Sequence, residues 1–297
     1  MKGPLRGPVA TAEVKRSRLP GRAFAAPTVA SRAHPRYRYK LSFTMKLPLR
    51  RLPHALLIAG ALCTSLAHAG DVQVAVAANF AGPLAKIGEG FTAATGHSLT
   101  VSAGATGKFY SQVVAGAPFE VLIAADDETP ARLVKEGLAV PGTDFTYAIG
   151  TLVLWSAQPG LVDDQGAVLT SGRFDHLAVA NPKLAPYGRA GMEVLKARGL
   201  VDALAPKLVT GETIAQTYQF IATGNAELGF VALSQVLVPG RPVVGSYWRV
   251  PPSLHGAIRQ DAVLLKAGEK NAAAVALLTY LKSDAARRVI QAYGYGH

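Results

Sequence analysis

From Asp71 onward, short apolar runs alternate with longer amphipathic stretches, and the alternation is written twice with the same grammar. A parallel sheet flanked by helices needs such a pattern, because its strands are covered on both faces while its crossover helices keep one face wet. In the first pass, residues 72–77 predict a strand. Phe80, Leu84, Ile87 and Phe91 then recur at helical spacing, with Asn79 as N-cap and Gly96 as the stop. A short strand at 99–101 leads into Ser102-Ala103-Gly104-Ala105-Thr106-Gly107, and a helix carries Phe109 and Val113 to Gly116. A third strand covers 121–124, and Asp126, Asp127 and Glu128 open the next helix.

A loop at 141–145 precedes an apolar strand at 151–156, which starts the second pass. Residues 177–180 predict a strand, followed by a loop from Asn181-Pro182 to Tyr187-Gly188 and a helix carrying Ala190, Val194 and Leu195 to Gly199. A strand at 207–209 leads through Gly211-Glu212-Thr213-Ile214 into a helix with Tyr218 and Ile221 that ends at Gly224, and 228–231 reads as a buried strand. The Pro- and Gly-rich stretch 239–252 reads as a return connection, after which a strand at 262–265 and two helices complete the first lobe. The expected fold is α/β with two lobes, each a mainly parallel sheet flanked by helices, and a ligand cleft between them. Lobe one takes residues 70–148 and 257–297, and lobe two takes 149–256.

The formal charge of +12 suggests a nucleic-acid binder until its distribution is considered. Residues 1–69 hold 13 of the 31 Lys and Arg and one of the 19 acids, which leaves 18 of each for 70–297. A neutral body offers no clustered cations for a phosphate backbone, so nucleic acid is not an expected partner. Within the basic segment, Lys46, Arg50 and Arg51 follow Met45 and precede an apolar run at 55–66 and then Ala67-His68-Ala69. That order predicts a secretory signal at 45–69 cleaved after Ala69, since a spanning helix needs about 18 or more apolar residues. Residues 1–44, rich in Arg, Pro and Ala without periodicity, read as a disordered extension from a mis-assigned start, or alternatively as an organelle transit peptide. Cys63, the only cysteine, lies inside the signal, so the remainder has no thiolate metal site and no cysteine nucleophile.

Signatures of catalysis are missing. Lys108 is followed by Phe109 and position 102 is Ser, so a phosphate loop fails at both ends, and no GxGxxG, HExxH or GxSxG occurs. The acids at 126–128 read as complements to a helix N-terminus rather than as a metal cluster. No enzyme, cofactor or resident metal is expected. What remains is four strand-to-helix turns, around Asn79, Thr106, Tyr187 and Ile214, each bringing backbone N–H groups to a helix start. One helix N-terminus acts as roughly half a positive charge, so four converging ones approach about two, as an upper bound that matches a dianion. Asn79 and Thr106 add side-chain donors, Tyr187 a phenol and Ile214 its amide alone. Any one of these turns is equally an ordinary capped turn; the reading rests on the set.

Val76-Ala77-Ala78-Asn79-Phe80, Ser102 through Gly107, Gly116-Ala117-Pro118, Ala124-Ala125-Asp126, Ala185-Pro186-Tyr187-Gly188 and Leu228-Gly229-Phe230-Val231 resemble, in order and spacing, the periplasmic molybdate-binding proteins of ABC importers. The resemblance spans nearly all of residues 71–295. It implies a type II periplasmic-binding-protein fold and a molybdate or tungstate ligand held by hydrogen bonds. It also implies delivery to a membrane permease driven by an ATPase subunit. By motif, the ligand contacts it implies are Ala78, Asn79, Thr106, Tyr187 and Ile214. Ala78 stands where some members carry a hydroxyl, and Ala232 where others carry a Tyr for which Tyr187 looks like the substitute. Thr106 replaces the more usual Ser. The chain is expected to act in the periplasm as a monomer, with sulfate or another small oxyanion as the alternative ligand. A transcription-regulating sensor lobe would need a DNA-binding helix pair, and a hydrolase would need a nucleophile; the sequence supplies neither.

Overall fold

A computed structural model describes residues 69–296. The expectations for residues 1–44 and for the signal segment up to His68, Cys63 included, lie outside the described residues. The strands in chain order begin with β1 (Asp71–Ala77), β2 (Ser98–Gly104), β3 (Val121–Ile123) and β4 (Phe145–Gly150), followed by β5 (Leu152–Ser156), β6 (Leu177–Ala180), β7 (Leu208–Gly211), β8 (Leu228–Ala232), β9 (Ser246–Arg249) and β10 (Ile258–Leu264). They form two five-stranded sheets of identical plan, β2-β1-β3-β10-β4 and β7-β6-β8-β5-β9. In each sheet the first three strands are parallel and the fourth is antiparallel to both its neighbours. That reversed strand, β5 or β10, is the one entered directly after the chain passes from the other sheet, so the polarity of each sheet records its crossing.

Helices fill the gaps: α1 (Ala81–Thr95), α2 (Thr106–Val114), α3 (Glu128–Lys135), α4 (Val168–Ser171), α5 (Pro186–Ala197), α6 (Val201–Leu204), α7 (Ile214–Ala222), α8 (Leu233–Val236), α9 (Ala272–Leu281) and α10 (Asp284–Ala292). Among the described residues no helix is long and apolar enough to cross a membrane. The helical periodicity of α1 buries Leu84, Ile87 and Phe91 against the first sheet, and Gly96 closes it in the left-handed conformation at φ 75°.

Three expectations are corrected. The first crossing falls at Thr151, because Ile149 and Gly150 pair with Arg259 and Ile258 in the first sheet rather than opening the second. Residues 145–156 therefore hold two strands of different sheets: β5, where a strand was expected at 151–156, and β4 before it, where none was. Asn79 does not cap α1: residues Ala78–Phe80 make a 3₁₀ turn, and Phe80 takes the N-cap position. The supposed return connection at 239–252 contains the edge strand β9, in which only Trp248 is fully buried.

Candidate functional site

The last paired residues of β1 and β2 are Ala77 and Gly104, and those of β6 and β7 are Ala180 and Gly211. From each of these four carboxyl ends the chain runs into a helix, the position at which open α/β sheets carry ligands. The 3₁₀ turn at Ala78 leads into α1, while α2, α5 and α7 begin at Thr106, Pro186 and Ile214. The starts from both sheets line one small cavity of about 10 Å³, walled by Ala78, Asn79, Thr106, Tyr187 and Ile214 together with Ala77, Gly104, Ala105, Ala125, Ala185 and Pro186. None of these residues carries a charge. The first turn of a helix leaves N–H groups without intrahelical partners, and its dipole favours negative charge. The arrangement is suited to a small anion, and too small for the roughly 300–1,000 Å³ of a larger organic ligand.

Each predicted residue lines this cavity, but the donors of the Asn79 side chain are committed elsewhere. Asn79, only 2% exposed, donates both hydrogens of Nδ2 to protein, one to Gln260 Oε1 at 2.9 Å and one to the Tyr295 hydroxyl at 3.0 Å. Its expected side-chain donor is therefore spent, and its backbone N–H is what remains. The Tyr187 hydroxyl oxygen accepts from Gln260 Nε2 at 3.0 Å, at a spot where a Cβ on Gly150 would overlap both groups. Tyr187 thus ties its phenol oxygen into the first lobe while keeping its hydroxyl hydrogen to donate, and it stands in the first turn of α5. Thr106 keeps a donor: its Oγ1 accepts from the Ala125 N–H at 3.0 Å, which leaves the hydroxyl hydrogen free to point elsewhere. Ile214, capped by Thr213 accepting from the Gln216 N–H, offers backbone only.

Behind the cavity lies a buried polar network that reasoning from local sequence missed. The Tyr147 hydroxyl stands 2.8 Å from the Ala124 carbonyl and 2.9 Å from Gln260 Oε1. Ser234 Oγ donates to the Asn79 carbonyl at 2.9 Å, and the Tyr295 hydroxyl lies 3.0 Å from both. Phe80 packs between the rings of Tyr147 and Tyr295, with centroids 4.6 and 5.5 Å away. Burial pushes the phenols of Tyr147, Tyr187 and Tyr295 above their ordinary value, so all three are neutral hydrogen-bonding groups. One signal was available: Gln260 occupies an inward position of β10, in alternation with Ile258 and Ala262, where an apolar residue is the rule.

At the rim the two lobes touch directly. The Gly107 N–H donates to the Leu184 carbonyl at 3.0 Å, and Arg189 pairs with Glu128 at 3.0 Å. Among the described residues no group of three or more His, Cys, Asp or Glu could hold a metal ion.

A family model described as bacterial extracellular solute-binding protein matches residues 72–296. The chain is 57% identical over 252 residues to the molybdate-binding protein ModA of Azotobacter vinelandii, covering 85% of this chain and 99% of the relative. It is 54% identical over 229 residues to the ModA of Rhodobacter capsulatus, covering 77% and 89%. Among solved structures, the periplasmic molybdate-binding protein of Azotobacter vinelandii superposes with a TM-score of 0.75 at 41% identity, covering 76% of this chain and 99% of that one. The sulfate-binding protein SubI of Mycobacterium tuberculosis H37Rv superposes at 0.60 with 16% identity, covering 77% and 86%, a likeness of fold alone.

Proposed function

Because the chain belongs to the bacterial extracellular solute-binding protein family, we propose that it is the periplasmic component of an ABC importer that captures molybdate or tungstate. The anion is held by neutral hydrogen bonds and handed to a membrane permease driven by an ATPase; no chemistry is performed on it. The observation that carries this reading is the convergence of four helix starts, two from each lobe, on one cavity whose walls hold no charge. Backbone N–H groups of Ala78, Asn79, Tyr187 and Ile214, with the N–H and hydroxyl of Thr106, are the assigned contacts. Uncharged, preorganised donors suit an anion of fixed size, because sulfate, with its shorter bonds, leaves the same donors poorly matched. The polypeptide is exported by the signal at 45–69, loses it after Ala69, and works as a monomer.

Sulfate or another small oxyanion is the second reading, favoured only by the fold shared with a sulfate-binding protein. Thermal unfolding of residues 70–297 separates the two. A ligand present at 100 times its Kd stabilises by about 2.7 kcal/mol. Molybdate and tungstate are expected to raise the midpoint at micromolar concentration, with sulfate and phosphate doing so only at far higher concentration or not at all. A larger shift with sulfate than with molybdate, or none with either, would overturn the proposal.

A further inference from the structure

Gln260 is fully buried, and an amide is costly to bury unless its hydrogen bonds are made. A methionine of similar size would fill the same space without that demand. The fold nevertheless builds a seat for it. The register between β10 and β4 shifts between Gln260 and Asp261: Gln260 pairs with Ala148 and Asp261 with Thr146, so Tyr147 is the extra residue of a bulge. Bulges re-aim side chains, and here the bulged Tyr147 brings its hydroxyl to Gln260 Oε1. Gly150, the last residue of β4, lacks the Cβ that would exclude the Gln260 amide and the Tyr187 hydroxyl together.

The partners of this amide lie in different lobes. Oε1 accepts from Asn79, in the first site turn of lobe one, and Nε2 donates to Tyr187, in the first turn of α5 in lobe two. Gln260 also sits beside both crossings, opposite the strand that ends at Gly150 and just after the chain returns from β9. A single rigid group next to the pivot therefore spans two of the four turns that face the cavity. Contacts at the rim, such as Gly107 to Leu184, help hold the cleft closed; a strut at the pivot sets how near the two halves come once it is closed.

We propose that Gln260 is a positioning residue for anion selectivity, fixing the spacing between the Asn79 and Tyr187 turns so that the cavity fits a larger tetrahedral oxyanion better than a smaller one. The inference rests on the oxyanion reading above. A buried hydrogen-bonded network rigidifies its surroundings, and rigidity of the donor cage is what penalises a ligand of the wrong size.

Titration calorimetry of the full-length protein with sodium molybdate and sodium sulfate, alongside ligand-free melting, tests this. Gln260→Met is expected to narrow the ratio of sulfate to molybdate Kd by about tenfold, the factor carried by roughly one net buried hydrogen bond. Molybdate should weaken while sulfate holds or tightens. Tyr187→Phe, which removes only the hydroxyl, should narrow the ratio in the same direction and keeps the question open to an answer if the Met variant fails to fold. A double variant should add little to the larger single effect, since both break the same Gln260–Tyr187 bond between the lobes. Equal weakening toward both anions, or a lowered melting midpoint with the ratio unchanged in both variants, would reduce Gln260 to a structural residue and overturn the inference. Failure of the unaltered protein to bind either anion would overturn the oxyanion reading, and this inference with it.

Discussion

The Gly107 N–H in lobe one donates to the Leu184 carbonyl in lobe two at 3.0 Å, and a Cβ built on Gly107 would stand 3.1 Å from Leu184 Cα and 3.2 Å from its carbonyl oxygen. Both neighbours are backbone, so neither can swing aside. Gly107→Ala should therefore hold the lips apart while leaving each lobe intact. The expected effect is a loss of about 1–2 kcal/mol in molybdate binding, roughly five- to thirtyfold in Kd, with little change in ligand-free melting. Calorimetry on the two proteins checks it, and an unchanged Kd would mean that the closed rim contributes nothing to affinity.

Thr106 has two roles that one substitution would confound. Its Oγ1 satisfies the buried Ala125 N–H, and its hydroxyl hydrogen is available to an anion. Thr106→Ala removes both and is expected to cost about 1–3 kcal/mol in stability as well as in binding, because the Ala125 N–H loses its partner. Thr106→Ser retains the hydroxyl and should restore most of both. Melting and calorimetry on the pair would exclude Thr106 as a ligand contact if Ala lowered stability but left molybdate affinity unaltered.

The parallel core of each sheet and all four site turns were legible in the sequence, because they depend on local features: a buried strand reads as an apolar run, and the helix after it reads by spacing. Strand β4 was not: the strand at 151–156 reads as opening the second lobe, but Phe145–Gly150 just before it carries no mark of pairing back into the first sheet, because hydropathy does not say which sheet a strand joins. Asn79 reads locally as a cap, but partners 181 and 216 residues away, Gln260 and Tyr295, claim its side chain. The bond from Gln260 to the Tyr187 phenol oxygen is equally invisible locally, because Gly150, distant in sequence, makes room for it. Long-range hydrogen bonds decide the orientation of these groups, and one sequence does not encode them visibly.

Arg189 and Glu128 form an ion pair across the rim at 3.0 Å, with side chains 47% and 70% exposed. At such exposure a pair contributes on the order of 0–1 kcal/mol and is screened by salt. Arg189→Gln is expected to weaken molybdate binding by no more than about fivefold at low ionic strength, with the difference vanishing at about 1 M salt. A salt-independent deficit, measured by competition at several ionic strengths, would show that Arg189 touches the anion rather than closing the rim.

Asp126 lines the mouth of the cleft beside Glu128 and Arg189, and its Oδ1 accepts from the Thr129 N–H at 2.9 Å. Burial pushes its carboxyl above the ordinary value, with a small further push from Glu128, while the Thr129 hydrogen bonds and Arg189 act in the opposite direction. A folded-state value raised above the unfolded one favours the protonated form in the fold. The stabilising contribution is therefore fully present below about pH 4, the ordinary carboxylate range, and is lost as pH rises through the elevated value. At neutral pH the ionised, partly desolvated Asp126 is a cost. Asp126→Asn keeps an oxygen for the Thr129 N–H and removes the charge, so the variant should melt above the unaltered protein at pH 7 and converge with it below about pH 4. Removing a negative charge near the cleft should also tighten molybdate binding at pH 7. A stability gain of the same size at both pH values would show that packing, not ionisation, is the cause.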